Sequence, residues 1–153
     1  MIQIKHILVP IDFSEYSRLA AVYARELAER FGATVHLLHV VHEPLIMGPD
    51  PDAGGAMVNM EDVRQSTELS LTEWANDHMG HDTKIERGVR VGAAYVEIVR
   101  YAREHDIDLI VLGSHGRTGL MHVLLGSVAE RVIRKAPCPV MTVRPEGQQF
   151  VMP

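Results

Sequence analysis

Leu109-Ile110-Val111-Leu112-Gly113-Ser114-His115-Gly116 decides how this chain is read. Four successive apolar residues without polar alternation suit a strand buried on both faces, and the glycines that follow mark an abrupt turn. Outward from it, Ile7-Leu8-Val9, Val35 to Val41 and Val140 to Val143 are similarly apolar and rich in β-branched residues. A further strand lies near Lys84 to Val91. Between these runs the apolar period changes from continuous to three and four. From Ser14 to Phe31, Ala20, Tyr23, Ala24, Leu27, Ala28 and Phe31 form one stripe, with Arg18, Arg25, Glu26, Glu29 and Arg30 opposite. Ser14 suits the N-cap and Gly32 the stop.

Three later helices follow the same logic. Asp62 to His78 is weakly patterned; Tyr95, Ile98, Val99 and Ala102 form the stripe of the next; Leu125, Val128, Ala129, Val132 and Ile133 form that of the last. Strands and helices alternate throughout, which predicts a doubly wound α/β sheet with right-handed crossovers. The connection from His42 to Met60 is long and rich in glycine and proline, so it reads as a lid or a disordered loop rather than a simple connector. Met47 to Met57 lacks the apolar period needed to offset ordering entropy, which predicts mobility without ligand.

At 153 residues, 46% of them hydrophobic, the chain reads as a single domain over 1–153 that folds without disulfide or metal. The lone Cys138 has no internal disulfide partner, which points to a reducing interior. The net charge of −5 comes without a basic block and argues against nucleic acid or an anionic membrane as the main partner. The early apolar run from Ile7 to Ile11 holds Pro10 and stops at Asp12, so it reads as neither a leader nor a membrane span. The expectation is a soluble cytoplasmic protein.

The chemistry concentrates after the fourth strand. Gly113-Ser114-His115-Gly116-Arg117-Thr118-Gly119 follows it directly, and Gly126-Ser127 opens the last helix. Glycines let backbone N–H groups approach a ligand, and a helix N-terminus offers unpaired donors with partial positive charge. A phosphate cradle and a purely structural turn both fit this spacing. Neither the G-x-x-x-x-G-K-[ST] loop nor G-x-G-x-x-G is present. Ser127 also stands three residues before Glu130, a capping-box pattern that would give its hydroxyl a structural task.

Gly113-x2-Gly116-x9-Gly126-Ser127 resembles the nucleotide-binding signature of the universal stress protein family, in its ATP-binding branch. Val9-Pro10-Ile11-Asp12-Phe13-Ser14, Leu37-Leu38-His39-Val40 and Ala136-Pro137-Cys138-Pro139-Val140 resemble further segments of that family, so the likeness runs from about Ile4 to Arg144. It implies a five-stranded parallel sheet of order 3-2-1-4-5 that binds ATP with Mg²⁺. It places Pro10, Asp12 and Val40 at the adenosine end, with Asp12 suited to a ribose hydroxyl. Gly113, Gly116, Gly126 and Ser127 would surround the phosphates, with Arg117 and Val128 adding contacts. In such a sheet the first and fourth strands flank the switch point, where ligands bind. The residues alone also allow Asp12 to be a turn residue ahead of Ser14.

His36 and His39 fall on opposite faces of a strand and cannot chelate one metal. His78 and His81 read as solvated residues at a helix end, and His115 as either a phosphate-orienting group or a plain loop residue. Cys138, between two prolines, carries no sign of a reactive thiolate. Two function classes follow: a nucleotide-dependent regulatory or stress-response module, and an ATP hydrolase or phosphotransferase. The lack of a Walker lysine and of an evident general base predicts slow hydrolysis at most. The implied strand order leaves Val140-Met141-Thr142-Val143 as an uncharged edge, whereas Lys84, Glu86, Arg87 and Arg90 charge the other. That asymmetry, and the family likeness, predict a homodimer through the last strand.

Overall fold

A computed structural model describes residues 1–42, 59–116 and 125–145. Five strands and four helices alternate as β1 (His6–Pro10), α1 (Glu15–Phe31), β2 (Thr34–Val41), α2 (Met60–His78), β3 (Ile85–Val91), α3 (Ala94–Glu104), β4 (Leu109–Gly113), α4 (Ser127–Lys135) and β5 (Val140–Val143). All pairs are parallel and the sheet order is β3-β2-β1-β4-β5, as expected. The residues of 43–58, where the mobile segment was expected, lie outside the described residues, as does the tail 146–153.

Strand periodicity divides the interior into two cores. Side chains alternate across a strand. Ile7, Val9, Val35, Leu37 and Val111 pack beneath α1 and α2, whereas Leu8, Leu38, Ile110 and Leu112 pack beneath α3 and α4. The central strands need no polar face because helices cover both sides.

The helix ends follow local chemistry. Ser14 accepts from the Ser17 N–H at the start of α1, and Gly32 closes it in the left-handed region at φ 68°. Asn59 caps α2 by accepting from the Glu61 N–H, so that helix begins at Met60, two residues before the expected Asp62. The buried stripe of α1 is Ser17, Ala20, Ala21, Ala24 and Ala28. Tyr23 and Phe31, expected to face inward, are 41% and 47% exposed. Small side chains let this helix lie close to the sheet and leave its bulky residues on the flanks. Val128 and Ile133 of α4 are likewise outside, where Ala129 and Val132 suffice to fill the contact.

Among the described residues no helix is long and apolar enough to cross a membrane. His78 departs from its expected solvated state: its ring stacks on Trp74 at 4.5 Å, and its Nδ1 donates to the Trp74 carbonyl at 2.8 Å.

Candidate functional site

β1 and β4 are neighbours, yet the chain leaves them for opposite edges of the sheet, so a crevice opens beyond their carboxyl ends. Asp12 follows β1 into that crevice, and the segment from Gly113 to Gly116 follows β4. One carboxylate oxygen of Asp12 accepts from both the N–H (3.0 Å) and the hydroxyl of Ser14. Ser14 in turn caps α1, so the carboxylate is fixed to the rigid start of a helix. The other oxygen, Oδ2, lies 2.9 Å from where a Cβ on Gly116 would stand. The fold thus brings Asp12 and Gly116 face to face, and a side chain at Gly116 would occupy the space before the carboxylate.

The glycines serve different purposes. A Cβ on Gly113 would meet the Tyr16 Cβ at 2.6 Å and the Tyr16 backbone carbonyl carbon at 2.8 Å. Gly113 is therefore required by the close passage of α1. Gly126 lies against the loop after β4: its N–H donates to the Ser114 carbonyl at 2.6 Å, and a Cβ there would come within 3.1 Å of that oxygen. This contact brings the N-terminus of α4 to the same crevice.

Gly126 is the N-cap of α4 and supplies no side chain to the helix start. The capping box expected of Ser127 is not formed, because Ser127 is already the first helical residue and Glu130 instead pairs with Arg134 at 2.9 Å. The Ser127 hydroxyl and the N–H groups of the first turn, that of Val128 among them, stand at an end where the cap residue makes no side-chain hydrogen bond. Such an end suits an anion. Glu130 N–H donates to the Gly126 carbonyl at 3.0 Å, which closes the first turn.

Pro10 ends β1 opposite Leu38, and Val40, near the end of β2, is half-buried against the α3/α4 core. Arg117 lies outside the described residues. His115 is half-buried, with Nδ1 3.1 Å from the Ser114 hydroxyl and its ring 5.4 Å from that of Tyr16. Among the described residues no group of three or more His, Cys, Asp or Glu is placed to hold a metal ion. His36 and His39 do face opposite sides: His36 meets Tyr101 of α3, and His39 packs on Phe13. Burial pushes the Cys138 thiol up from its usual pKa and the nearby Asp108 adds to this, against a weaker opposing hydrogen bond from Ile110. That favours the inert thiol.

Two features of the site had no signal in the sequence. Phe13 adopts φ 63°, a left-handed conformation rare for a bulky residue. His39 donates from Nδ1 to the Ile11 carbonyl at 2.7 Å. Both act on the backbone on either side of Asp12.

The fold has clear counterparts. The model of the universal stress protein family matches residues 3–144. Universal stress protein MJ0531 of Methanocaldococcus jannaschii is 35% identical over 140 residues, covering 92% of this chain and 82% of that protein. The structure of universal stress protein UspA from Lactobacillus plantarum superposes with a TM-score of 0.79 at 26% identity, covering 94% of this chain and all of that one. A universal stress protein from Archaeoglobus fulgidus, solved in complex with dAMP, gives a TM-score of 0.63 at 26% identity, covering 94% of this chain and 100% of that one. With the sheet order, the glycine spacing and a family match over nearly the whole length in agreement, the chain belongs to the universal stress protein family.

Proposed function

We propose that the chain binds an adenine nucleotide, ATP with Mg²⁺, and acts as a nucleotide-dependent regulatory module in the cytoplasm. The observation that carries this reading is the meeting of the Asp12 carboxylate with Gly116 in a crevice that the glycine-capped start of α4 also reaches. A fixed carboxylate acceptor suits ribose hydroxyls, and helix N–H donors suit phosphates. Gly116, Gly126, Ser127 and the Val128 N–H would hold the phosphate end, with Arg117 adding charge; Pro10 and Val40 would flank the adenosine. Gly113 supports the site by admitting α1. Mg²⁺ would arrive on the phosphates and offset their charge. The dAMP complex of the Archaeoglobus fulgidus relative supports the nucleotide class.

The same reading takes the protein as a homodimer joined through β5. The test of binding is thermal unfolding with and without MgATP. A ligand at about 100 times its dissociation constant adds about 2.7 kcal/mol of apparent stability. For a chain of this size that is a rise of about 5–10 °C in the midpoint. No shift at millimolar MgATP, together with no adenine nucleotide released from the denatured purified protein, would overturn the reading. Steady-state phosphate release would separate a regulatory module from an ATP hydrolase.

A further inference from the structure

We propose that His39 and Phe13 set the orientation of Asp12 and thereby govern how strongly the site selects for ribose hydroxyls. The inference rests on the nucleotide reading above, and adds residues that do not themselves touch the ligand.

The sheet holds Ile11 from one side, through its N–H to the Leu38 carbonyl at 2.8 Å. His39 holds it from the other, at the Ile11 carbonyl. A carbonyl only accepts, so His39 carries its proton on Nδ1 in this bond. The peptide leading into Asp12 is therefore fixed at its carbonyl. The next residue, Phe13, takes φ 63°, which turns the chain sharply enough for Ser14 to reach back to the Asp12 carboxylate. The Phe13 ring lies 4.8 Å from the His39 ring at an interplanar angle of 40° and packs against the α1/α2 core.

One histidine thus touches both sides of Asp12: the preceding carbonyl by hydrogen bond and the following side chain by ring contact. A left-handed bulky residue persists only where its surroundings over-determine it, and such residues cluster at functional sites. Here the consequence is local: the turn directs Asp12 Oδ2 toward Gly116. His39 and Phe13 are positioning residues, and a small rotation of the carboxylate would cost hydroxyl contacts while leaving the phosphate end in place.

The test is calorimetric titration of the full chain with MgATP and with its 2′,3′-dideoxy analogue, taking the ratio of the two affinities. Simple destabilisation weakens both ligands together and leaves the ratio unmoved. The wild type should prefer ATP by about tenfold to a hundredfold, as expected for hydrogen bonds to a charged acceptor. Asp12→Ala should bring the ratio close to one. His39→Leu and Phe13→Gly should each lower it by at least about threefold, since either change frees a carboxylate whose geometry must be held within a fraction of an ångström. His39→Asn, which keeps an N–H donor near the Nδ1 position, should restore most of it. Wild-type ratios in folded His39→Leu and Phe13→Gly, beside a collapsed ratio in Asp12→Ala, would overturn the inference and leave the nucleotide site standing. An Asn variant that behaves as the Leu variant would overturn the hydrogen-bonding role. A wild type with no binding, or with no discrimination, would overturn the nucleotide or ribose reading itself and this inference with it.

Discussion

His6 and His36 share a hydrogen bond across neighbouring strands: Nδ1 of His6 stands 3.1 Å from Nε2 of His36. The other ring nitrogen of His36 lies 3.1 Å from the Tyr101 hydroxyl and 3.6 Å from the Glu86 carboxylate. His105 completes the surroundings, 5.7 Å away ring to ring, and stacks on Tyr101. Burial holds the His36 pKa below its usual 6.5; Glu86 pulls it up, and His6 and His105 push it down.

The pH dependence follows from that direction. In the unfolded chain His36 titrates near its ordinary value of about 6.5, so below it the unfolded state binds the proton that the folded state resists. The stability contributed is complete above that value, declines as pH falls through it, and levels off below the folded pKa. One such group gives a slope of at most about 1.4 kcal/mol per pH unit. Thermal midpoints measured from about pH 8 down to about pH 5 should fall less steeply in His36→Gln than in the wild type. Parallel curves would refute the assignment.

Gly113→Ala and Gly116→Ala should separate packing from binding. The first forces a methyl into Tyr16 and its backbone, and should cost about 1–3 kcal/mol of stability, as overpacking does. The second meets only the tip of Asp12 and should change unliganded stability less, while reducing the shift caused by MgATP. Circular-dichroism melts of both variants, with and without nucleotide, check the contrast. Equal stability losses would contradict it.

Ser127→Ala should leave unliganded stability within about 0.5 kcal/mol, the range of surface changes that remove no structural contact. A true N-cap serine would cost about 1 kcal/mol. Chemical denaturation distinguishes the two, and the ligand-induced shift of the same variant reports whether its hydroxyl serves the phosphates.

If the proposed dimer forms through β5, Thr142→Pro should dissociate it without opening the sheet. Ile110 N–H donates to the Pro139 carbonyl and Ser114 N–H to that of Val143, an alternation that turns the Thr142 amide away from β4. Proline there removes a donor at the free edge and keeps the ladder to β4. Sedimentation at micromolar concentration should show a dimer in the wild type and a monomer in the variant. A monomeric wild type, or a folded variant that stays dimeric, would end the proposal.

What the sequence by itself determined is the order and kind of the elements. Continuous apolar runs such as Leu109 to Leu112 have one use in a chain that alternates them with amphipathic helices, and Ser14 and Gly32 carry their capping chemistry in their own side chains or lack of one. The glycine spacing likewise identified the family. The tertiary structure decided what each residue is for. The pattern around α1 could not separate Ala24 from Tyr23, because only the distance between helix and sheet sets which side chain fits. Gly113 and Gly116 are alike as letters, yet one faces Tyr16 and the other Asp12. Ser127 carries a capping signature that lost its purpose when Gly126 became the cap. The turn at Phe13, held by His39 from the next strand, depends on contacts between segments far apart in the chain, and local sequence holds no record of such contacts.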